Sequence, residues 1–372
     1  MKRRVFLQKS ALGIAATSVL ASCGDSSSPA SNSAPAIQTL PRLNWRLVSS
    51  FPRGLDTIYG AAEVLAERVS ALTGGRFKIR PYPAGELVPG LQVLDAVQQG
   101  TAQMGHSSSY YFTGKHPAFA FDTCVPFGLT TRMKSAWMEY GDGLSLLREL
   151  FAEFNIINFP GGNTGVQMGG WFKREIKSLA DLKGLKMRIP GLGGEVMSRL
   201  GVTVQVLAGG DIYPALERGV IDATEWIGPY DDEKLGFHKI ARYYYYPGWW
   251  EPGPQLSFYI NRAAWEKLPT AYKEALTSAT REAHLLMVAS YDAKNPPALQ
   301  RLLQSGVQLR KFSDDIMEAA HSVAFELYEE LASQDTLYRK IHTAWKKWRK
   351  ESYQWFNTAE LAYAAFAFPK AS

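Results

Sequence analysis

One short pattern occurs twice in this chain and constrains the fold more than any other feature. Residues 95–105 read DAVQQGTAQMG and residues 214–224 read PALERGVIDAT, each with an alanine four residues before a glycine. Glycine just beyond the end of a helix readily adopts the left-handed conformation that other residues avoid. Each copy therefore predicts a helix that ends at a glycine and leads directly into a strand.

Strand-like apolar runs alternate with helical patterns around these two copies. The clearest runs are residues 43–50, 76–83, 157–162, 166–172, 185–190 and 202–208. This alternation is typical of an α/β fold. About 330 residues follow the N-terminal region. Because a single hydrophobic core usually accommodates fewer residues than this, we expect two lobes, each with a central sheet flanked by helices.

The strands predicted by the two copies lead into polar and aromatic residues. The first leads to Tyr110 and Tyr111, and the second leads to Glu225 and Trp226. Open α/β sheets bind ligands in the crevice at the carboxyl ends of their strands. If the two lobes face each other, these residues line one shared cleft.

Residues 1–22 have the features of an export signal. Arg3 and Arg4 precede Val-Phe-Leu, as in twin-arginine signals, and the uncharged stretch that follows is too short to span a bilayer. It ends in Leu-Ala-Ser-Cys, which resembles the lipobox at which bacterial lipoproteins are cleaved and lipidated, here on Cys23. An ordinary cleaved signal is the alternative. Residues 23–40 are rich in serine, proline and alanine and predict a flexible tether.

The export signal accounts for most of the positive net charge. Four of the 41 lysines and arginines lie in residues 1–22, which contain no acidic residue, so 37 basic and 35 acidic residues remain. This near balance gives no argument for a nucleic-acid partner. If Cys23 is lipidated, Cys124 is the only other cysteine, and neither an intramolecular disulfide nor a cysteine-based zinc site can form.

The candidate binding residues carry mainly oxygen atoms. Glu225 follows one predicted strand, and Asn163 and Gln167 lie in a glycine-rich segment that suits a crossover between lobes. Oxygen donors favour a hard cation such as calcium or sodium. Arg188 ends another predicted strand, and its planar guanidinium can bind a carboxylate through two hydrogen bonds.

Catalytic signatures are lacking in the sequence. It contains neither G-x-S-x-G nor H-E-x-x-H, and its six histidines do not have metal-ligand spacing. The turn at residues 191–194 matches part of a dinucleotide-binding fingerprint, although Val196 takes the place of the third glycine. The segment ARYYYYPGWWEPG (241–253) predicts a strand with buried rings or a wall of the cleft.

Two long helical patterns lie in the C-terminal third. The first covers residues 269–295 and should end at Pro296 and Pro297. The second covers about residues 336–366 and carries aromatic residues at helical spacing from Trp345 onwards, a stripe that its own helix cannot bury. An exposed apolar stripe of this size indicates an interface.

Five runs together resemble the substrate-binding proteins of TRAP transporters, closest to the branch that binds 2-oxoacids. They are SSFPRGLDTIYGAAEVLAERVS (49–70), AGELVPGLQVLDAVQQGT (84–101), PGGNTGVQMGGWF (160–172), LKGLKMR (182–188) and AGGDIYPALERGVIDATEWIGPYDDEKLGFHKIARYYYYPGWWE (208–251). The resemblance extends from about residue 43 to 366. It implies a periplasmic binding protein, not an enzyme, that closes over a small organic acid such as pyruvate and delivers it to an ion-gradient-driven permease.

The resemblance also implies roles for individual residues. Arg188 would pair with the substrate carboxylate, and three further side chains would contact the substrate: Asn163, Tyr111 and Gln167. A cation in the cleft, Na⁺ or Ca²⁺, would bridge to the substrate and would be held by oxygens of Gln167, Glu225 and the Trp226 backbone. The Trp226 ring would form a wall of the pocket.

The implied organisation has five parts. They are the export signal (1–22), the tether (23–40), lobe I (41–163 and about 253–297), lobe II (164–252 and about 298–335) and a C-terminal dimerisation helix (336–372). The protein would be periplasmic, with Cys23 as a lipid anchor, and would form a homodimer that exchanges its C-terminal helices. Two alternatives remain open: an exported cofactor-dependent enzyme that uses the turn at 191–194, and a ligand sensor of the same fold.

Overall fold

The computed structural model describes residues 40–370. The predicted export signal, Cys23 and nearly all of the tether lie outside the described residues. Within this range, no helix is both long and apolar enough to cross a membrane.

The strands form two mixed sheets. In chain order they are β1 (Leu43–Ser49), β2 (Phe77–Tyr82), β3 (Met104–Ser107), β4 (Ile156–Asn163), β5 (Trp171–Phe172), β6 (Lys186–Arg188), β7 (Thr203–Gln205), β8 (Ala223–Thr224), β9 (Tyr243–Tyr246), β10 (Gln255–Asn261) and β11 (Gln308–Lys311). The first sheet has the order β2-β1-β3-β10-β4, and the second has the order β11-β9-β5-β8-β6-β7. In the first sheet β10 runs antiparallel to the other four strands, and in the second β5 runs antiparallel to the other five.

Helices connect and cover these strands. They are α1 (Gly60–Leu72), α2 (Val93–Gln98), α3 (Phe119–Thr123), α4 (Thr131–Tyr140), α5 (Gly143–Glu153), α6 (Gly191–Arg199), α7 (Gly209–Glu217), α8 (Pro229–Leu235), α9 (Arg262–Glu266), α10 (Thr270–Gln304), α11 (Asp314–Gln334), α12 (Thr336–Phe356) and α13 (Ala362–Ala367). The predicted α/β class is confirmed.

The repeated pattern forms the predicted helix-to-strand units. Helix α2 is followed by Gly100 with φ +77° and then by β3, whereas α7 is followed by Gly219 with φ +72° and then by β8. One unit belongs to each sheet. The strands of the first sheet all lie within the ranges expected for lobe I, and those of the second within the ranges for lobe II. The lobe boundaries themselves stay a prediction.

The prediction that a helix ends before Pro296 is wrong. Helix α10 continues through both prolines to Gln304. Tyr291, Ala298 and Leu302 are buried along the same stripe, so packing continues on both sides of the prolines. A proline inside a helix costs about 3 kcal/mol, and this continuous burial offsets the cost.

The aromatic stripe of the last helix divides into two parts. Trp345 is only 2% exposed and packs in the core of its own chain, so the expectation that the whole stripe stays unburied is wrong. Trp348 is partly buried and donates from its indole to the Met133 carbonyl at 3.2 Å. Beyond this point Tyr363 and Phe366 are 69% and 70% exposed. Only the distal part of the stripe therefore remains available for an interface.

Candidate functional site

Strand pairing brings Arg188 and Glu225 together. Strands β6 and β8 are parallel neighbours, and their register places Arg188 opposite Thr224, the residue before Glu225. Arg188 is 1% exposed and Glu225 is fully buried. The two predicted site residues thus meet in the interior, at the carboxyl ends of adjacent strands.

The Arg188 guanidinium is held on most of its sides. Its Nε donates to the Leu207 carbonyl at 3.1 Å, and its Nη1 donates to the Glu225 carbonyl at 3.1 Å and to the Glu225 side chain. The group lies over the Trp226 ring, 5.2 Å from its centre. Within residues 40–370 its Nη2 makes one contact, a long one of 3.4 Å to the Tyr111 hydroxyl. This edge can therefore accept a further partner such as a carboxylate.

Two predicted cleft walls meet at this point. A small cavity is lined from the first sheet's side by Ser108, Tyr110 and Tyr111 and from the second sheet's side by Gln167 and Trp226. The first three residues follow β3, Gln167 lies between β4 and β5, and Trp226 follows β8. The expectation that the ends of the two repeated units open on one crevice is confirmed.

Three buried oxygen atoms near Arg188 have no hydrogen-bond partner among residues 40–370. They are Gln167 Oε1, Glu225 Oε2 and Glu251 Oε2, and we call them the open oxygens. A buried acceptor without a donor costs roughly 1–3 kcal/mol, and native proteins contain few such atoms. The Glu225 and Glu251 carboxyl groups can share one proton in the ligand-free protein, and a bound cation would replace that proton.

Backbone hydrogen bonds fix Gln167 beside Glu251. The Gln167 amide donates to the Glu251 carbonyl at 3.1 Å, and the Gly248 amide donates to the Gln167 carbonyl at 3.0 Å. A Cβ at Gly248 would lie 2.5 Å from that same Gln167 oxygen, so only glycine fits there. The 248–251 turn and Gln167 therefore form one unit that carries two of the open oxygens.

The two carboxyl groups are electrostatically unfavourable as they stand. Burial raises the pKa of Glu225 to about 7, although the charge of Arg188 opposes this shift. Burial also raises the pKa of Glu251 well above its usual range, and the Glu225 charge raises it further. A cation placed between them would stabilise both ionised forms.

The donor set fits a hard cation. The open oxygens belong to two carboxylates and one amide, and no donor in the described part of the chain reaches the Trp226 carbonyl oxygen. Oxygen-only sets of this kind suit calcium or sodium. No group of three or more His, Cys, Asp and Glu side chains is assembled for a metal in residues 40–370, so amide and backbone oxygens would have to complete the site.

Sequence reasoning missed Glu251. It lies in the aromatic segment 241–253, which predicted a wall of the cleft, and it is 3% exposed after the buried pair Trp249 and Trp250. The sequence feature that could have indicated Glu251 is a single acidic residue that follows two tryptophans and precedes Pro-Gly. A carboxylate in such apolar surroundings needs a partner.

Asn163 has a different environment from the one expected. It ends β4, and its Nδ2 donates to the Gly253 carbonyl at 3.0 Å. Its Oδ1 accepts hydrogen bonds from the Thr131 hydroxyl at 2.8 Å and from the Gly165 amide at 3.0 Å. The second Nδ2 proton remains for a ligand, and the substrate contact of Asn163 stays a prediction.

The glycine turn at 191–194 is filled by protein. A Cβ at Gly193 would lie 2.9 Å from the Trp250 Cβ, and one at Gly194 would lie 2.7 Å from the Ile189 carbonyl oxygen. Close packing therefore explains both glycines. This observation weakens the alternative in which the turn binds a dinucleotide.

Comparisons with known proteins agree with this geometry. Residues 48–335 match the family model described as bacterial extracellular solute-binding protein, family 7. The chain is 54% identical over 367 residues to a monocarboxylate 2-oxoacid-binding periplasmic protein of Nostoc sp. (strain PCC 7120), with 99% of each chain covered.

Solved structures show the same fold. A TRAP transporter solute-binding protein from Bordetella bronchiseptica RB50 is 48% identical with a TM-score of 0.88, covering 89% of this chain and 98% of its own; it is a mixed-occupancy dimer with copurified calcium and picolinate. Two TRAP periplasmic solute-binding proteins are each 39% identical to this chain, with a TM-score of 0.85, and cover 87% of this chain and 99% of their own. The one from Pseudoalteromonas atlantica T6c contains sodium and pyruvate, and the one from Colwellia psychrerythraea contains calcium and pyruvate. The chain belongs to family 7 of the bacterial extracellular solute-binding proteins, the solute-binding proteins of TRAP transporters.

Proposed function

We propose that this protein binds a small monocarboxylate of the 2-oxoacid class, such as pyruvate, together with a cation, and delivers it unchanged to a TRAP permease. The observation that carries the proposal is the Nη2 edge of Arg188, which has one long hydrogen bond to the Tyr111 hydroxyl, beside the three open oxygens. An anion-binding edge and a cation-binding oxygen set in one buried region suit an organic anion that shares its oxygens with a metal.

The residues divide between the two ligands. Arg188 binds the substrate carboxylate, with hydrogen bonds from Tyr111 and Asn163. The cation is held by Gln167, Glu225, the Trp226 carbonyl and, from the position of its open oxygen, Glu251. Gln167 contacts both ligands because it lies at the cavity wall.

Charge balance supports joint binding. When both carboxyl groups are ionised, they and the guanidinium leave one negative charge in a buried site, and a monocarboxylate adds a second. Burying such an excess without compensation is unfavourable by several kcal/mol. A divalent cation balances the site fully and a monovalent one in part, and relatives contain calcium or sodium beside pyruvate.

Calorimetry with pyruvate tests the proposal. Affinity for pyruvate should fall at least tenfold in chelated, sodium-free buffer and recover with Ca²⁺ or Na⁺, and cation affinity should rise by the same factor with pyruvate because coupling is reciprocal. Cation-independent binding would contradict the shared site. Failure of pyruvate and of other 2-oxoacids to bind would contradict the substrate class. Pyruvate recovered unchanged by NMR separates binding from turnover.

Lipid attachment at Cys23 is part of the proposal. The lipobox-like residues before Cys23 support it. The Cys23→Ser variant should move from the membrane fraction to the soluble periplasmic fraction, whereas Cys124→Ser, which changes a buried cysteine, should not. Equal distribution of both variants would favour the ordinary cleaved signal.

We also propose a homodimer held by the distal aromatic residues of the C-terminal helix. Trp355, Tyr363 and Phe366 are each more than 60% exposed, and apolar grooves flank this segment. Their joint replacement by serine should give a folded monomer in light scattering. Leu285→Ser, which changes an exposed leucine on α10, is the control and should remain dimeric. A wild-type monomer at micromolar concentration would contradict the proposal.

A further inference from the structure

The loop at residues 126–128 is held by side chains of the C-terminal helices. The carbonyl of Phe127 accepts a hydrogen bond from Arg349 Nε at 2.8 Å, and the Tyr353 hydroxyl lies 2.8 Å from that oxygen and 2.6 Å from the Gly128 carbonyl. The Arg349 guanidinium also stacks on the Tyr353 ring, 4.1 Å from its centre. Helix α12 therefore fixes this loop from one side.

Phe127 has a backbone conformation that needs such support. Its φ is +52°, a left-handed value that is unfavourable for a side chain of this size. Strained residues persist where surrounding contacts determine them, and they concentrate at functional sites. On its other side Phe127 donates its amide to the Trp249 carbonyl at 2.8 Å, and the two rings stack with centres 5.2 Å apart and an angle of 13°. Phe127 thus joins α12 to Trp249.

Trp249 lies inside the turn that carries Glu251. The Glu251 amide closes this turn by donating to the Gly248 carbonyl at 2.9 Å. The Glu251 carbonyl in turn accepts the amide of Gln167. Both residues bear open oxygens, so a displacement of Trp249 moves two proposed cation-binding atoms together.

We propose that Arg349 and Tyr353 are positioning residues for the ligand site and act through Phe127 and Trp249 on Glu251. This inference rests on the proposed function, since Glu251 is a proposed ligand of the cation. Neither α12 residue touches the cavity. The chain of contacts nevertheless runs without a gap from the last long helix to the open oxygens.

Hydrogen exchange on the ligand-free protein tests the chain of contacts. Tyr353→Phe keeps the ring and removes the hydroxyl that donates to the 127–128 carbonyls. Amides in the 248–251 turn and at Gln167 should exchange several-fold faster in this variant. The control is Trp348→Phe, which removes a hydrogen bond from the same helix to Met133, and it should leave those amides at the wild-type rate. Unchanged exchange in Tyr353→Phe overturns the inference, whatever the protein binds.

Affinity gives the second readout. One lost hydrogen bond corresponds to a roughly threefold to tenfold change in an equilibrium constant. Tyr353→Phe should weaken Ca²⁺ and pyruvate binding by that factor, and Trp348→Phe should leave both at wild type even if its melting temperature falls equally. Equal affinities in all three proteins would show a purely structural role. If the wild-type protein binds neither Ca²⁺ nor pyruvate but the variants show the predicted difference in hydrogen exchange, the proposed function is wrong and the inferred chain of contacts is still supported.

Discussion

Two clusters of buried charged groups in this molecule differ in how completely they are partnered. In the first, Asp122 accepts hydrogen bonds on one oxygen from Ser109 and from Ser257 at 2.7 Å, and on the other from Asn158 at 3.1 Å. The buried Lys134 adds a positive charge nearby. In the second cluster, around Arg188, the open oxygens remain.

The difference separates a structural cluster from a binding cluster. Burial raises the pKa of Asp122 and of Glu225 alike, so burial alone does not distinguish them. The hydrogen bonds of the carboxyl groups do. Both oxygens of Asp122 accept hydrogen bonds, although Asn158 Oδ1 and Gln255 Oε1 beside it lack partners among residues 40–370, whereas Glu225 and Glu251 each keep an open oxygen that costs stability until a ligand arrives. The Nη2 edge of Arg188, which has only one long hydrogen bond among residues 40–370, is the second sign of an incomplete site.

The largest expected effect breaks the structural cluster. Asp122→Asn removes the negative charge near buried Lys134. It also places an amide group against the serine hydroxyls that donate to the carboxylate in the wild-type protein. Removing one member of a buried charge pair costs about 3 kcal/mol. Urea denaturation should show this loss, while affinity for pyruvate per folded molecule stays at wild type. A stable variant with weakened binding would reverse the roles of the two clusters.

The next effect concerns the anion. Arg188→Lys keeps a positive charge but loses the planar fork, and a hydrogen bond between charged groups contributes about 1.5–3 kcal/mol. Affinity for pyruvate should therefore fall at least tenfold in calorimetry. Arg310→Lys, which changes a surface ion pair with Glu175, is the matched control. Wild-type affinity in Arg188→Lys would place the carboxylate elsewhere.

Glu251→Gln sharpens the comparison directly. It removes one negative charge from the binding cluster and keeps the shape of the side chain. Ca²⁺ affinity should fall about tenfold, an effect of roughly 1.4 kcal/mol. The ligand-free variant should be about as stable as wild type, because burial and the Glu225 charge already disfavour ionisation of the Glu251 carboxyl group. A lower melting temperature with normal Ca²⁺ affinity would assign Glu251 to the structural class.

His106 defines a limit of the comparison. Both ring nitrogens lack partners among the described residues, yet the ring stacks on Phe258 with centres 4.7 Å apart and belongs to the first sheet. Burial lowers its pKa to about 3 from 6.5. The unfolded state therefore binds a proton first, and His106 by itself lowers the free energy of unfolding by about 1 kcal/mol between pH 6.5 and 5.5. His106→Phe should remove this contribution from the pH dependence measured in denaturation curves; an unchanged pH dependence would contradict it.

Local pattern was sufficient for much of the fold and part of the site. The glycines after α2 and α7 predicted their helix ends because left-handed backbone is a local requirement of the residue. The sequence placed Arg188 and Glu225 at strand ends because alternating apolar and polar residues, followed by glycine or proline, indicate where a strand ends. The structure then showed that the two residues are paired, which no local pattern states.

Other features depend on contacts between residues far apart in the chain. Pro296 and Pro297 predicted a helix end, and only the buried stripe of α10 shows that packing outweighs them. The aromatic spacing of α12 predicted one continuous face, and only the core against which it packs separates buried Trp345 from exposed Phe366.

By itself the sequence determined the α/β alternation, the two glycine-terminated units and the oxygen-rich chemistry of the site, because propensity, periodicity and charge are properties of neighbouring residues. The tertiary structure alone decided that Glu251 joins that site. Its carboxylate arrives there because the 248–251 turn is hydrogen-bonded to Gln167, more than eighty residues away in the chain, and such pairings are set by the packing of the whole fold.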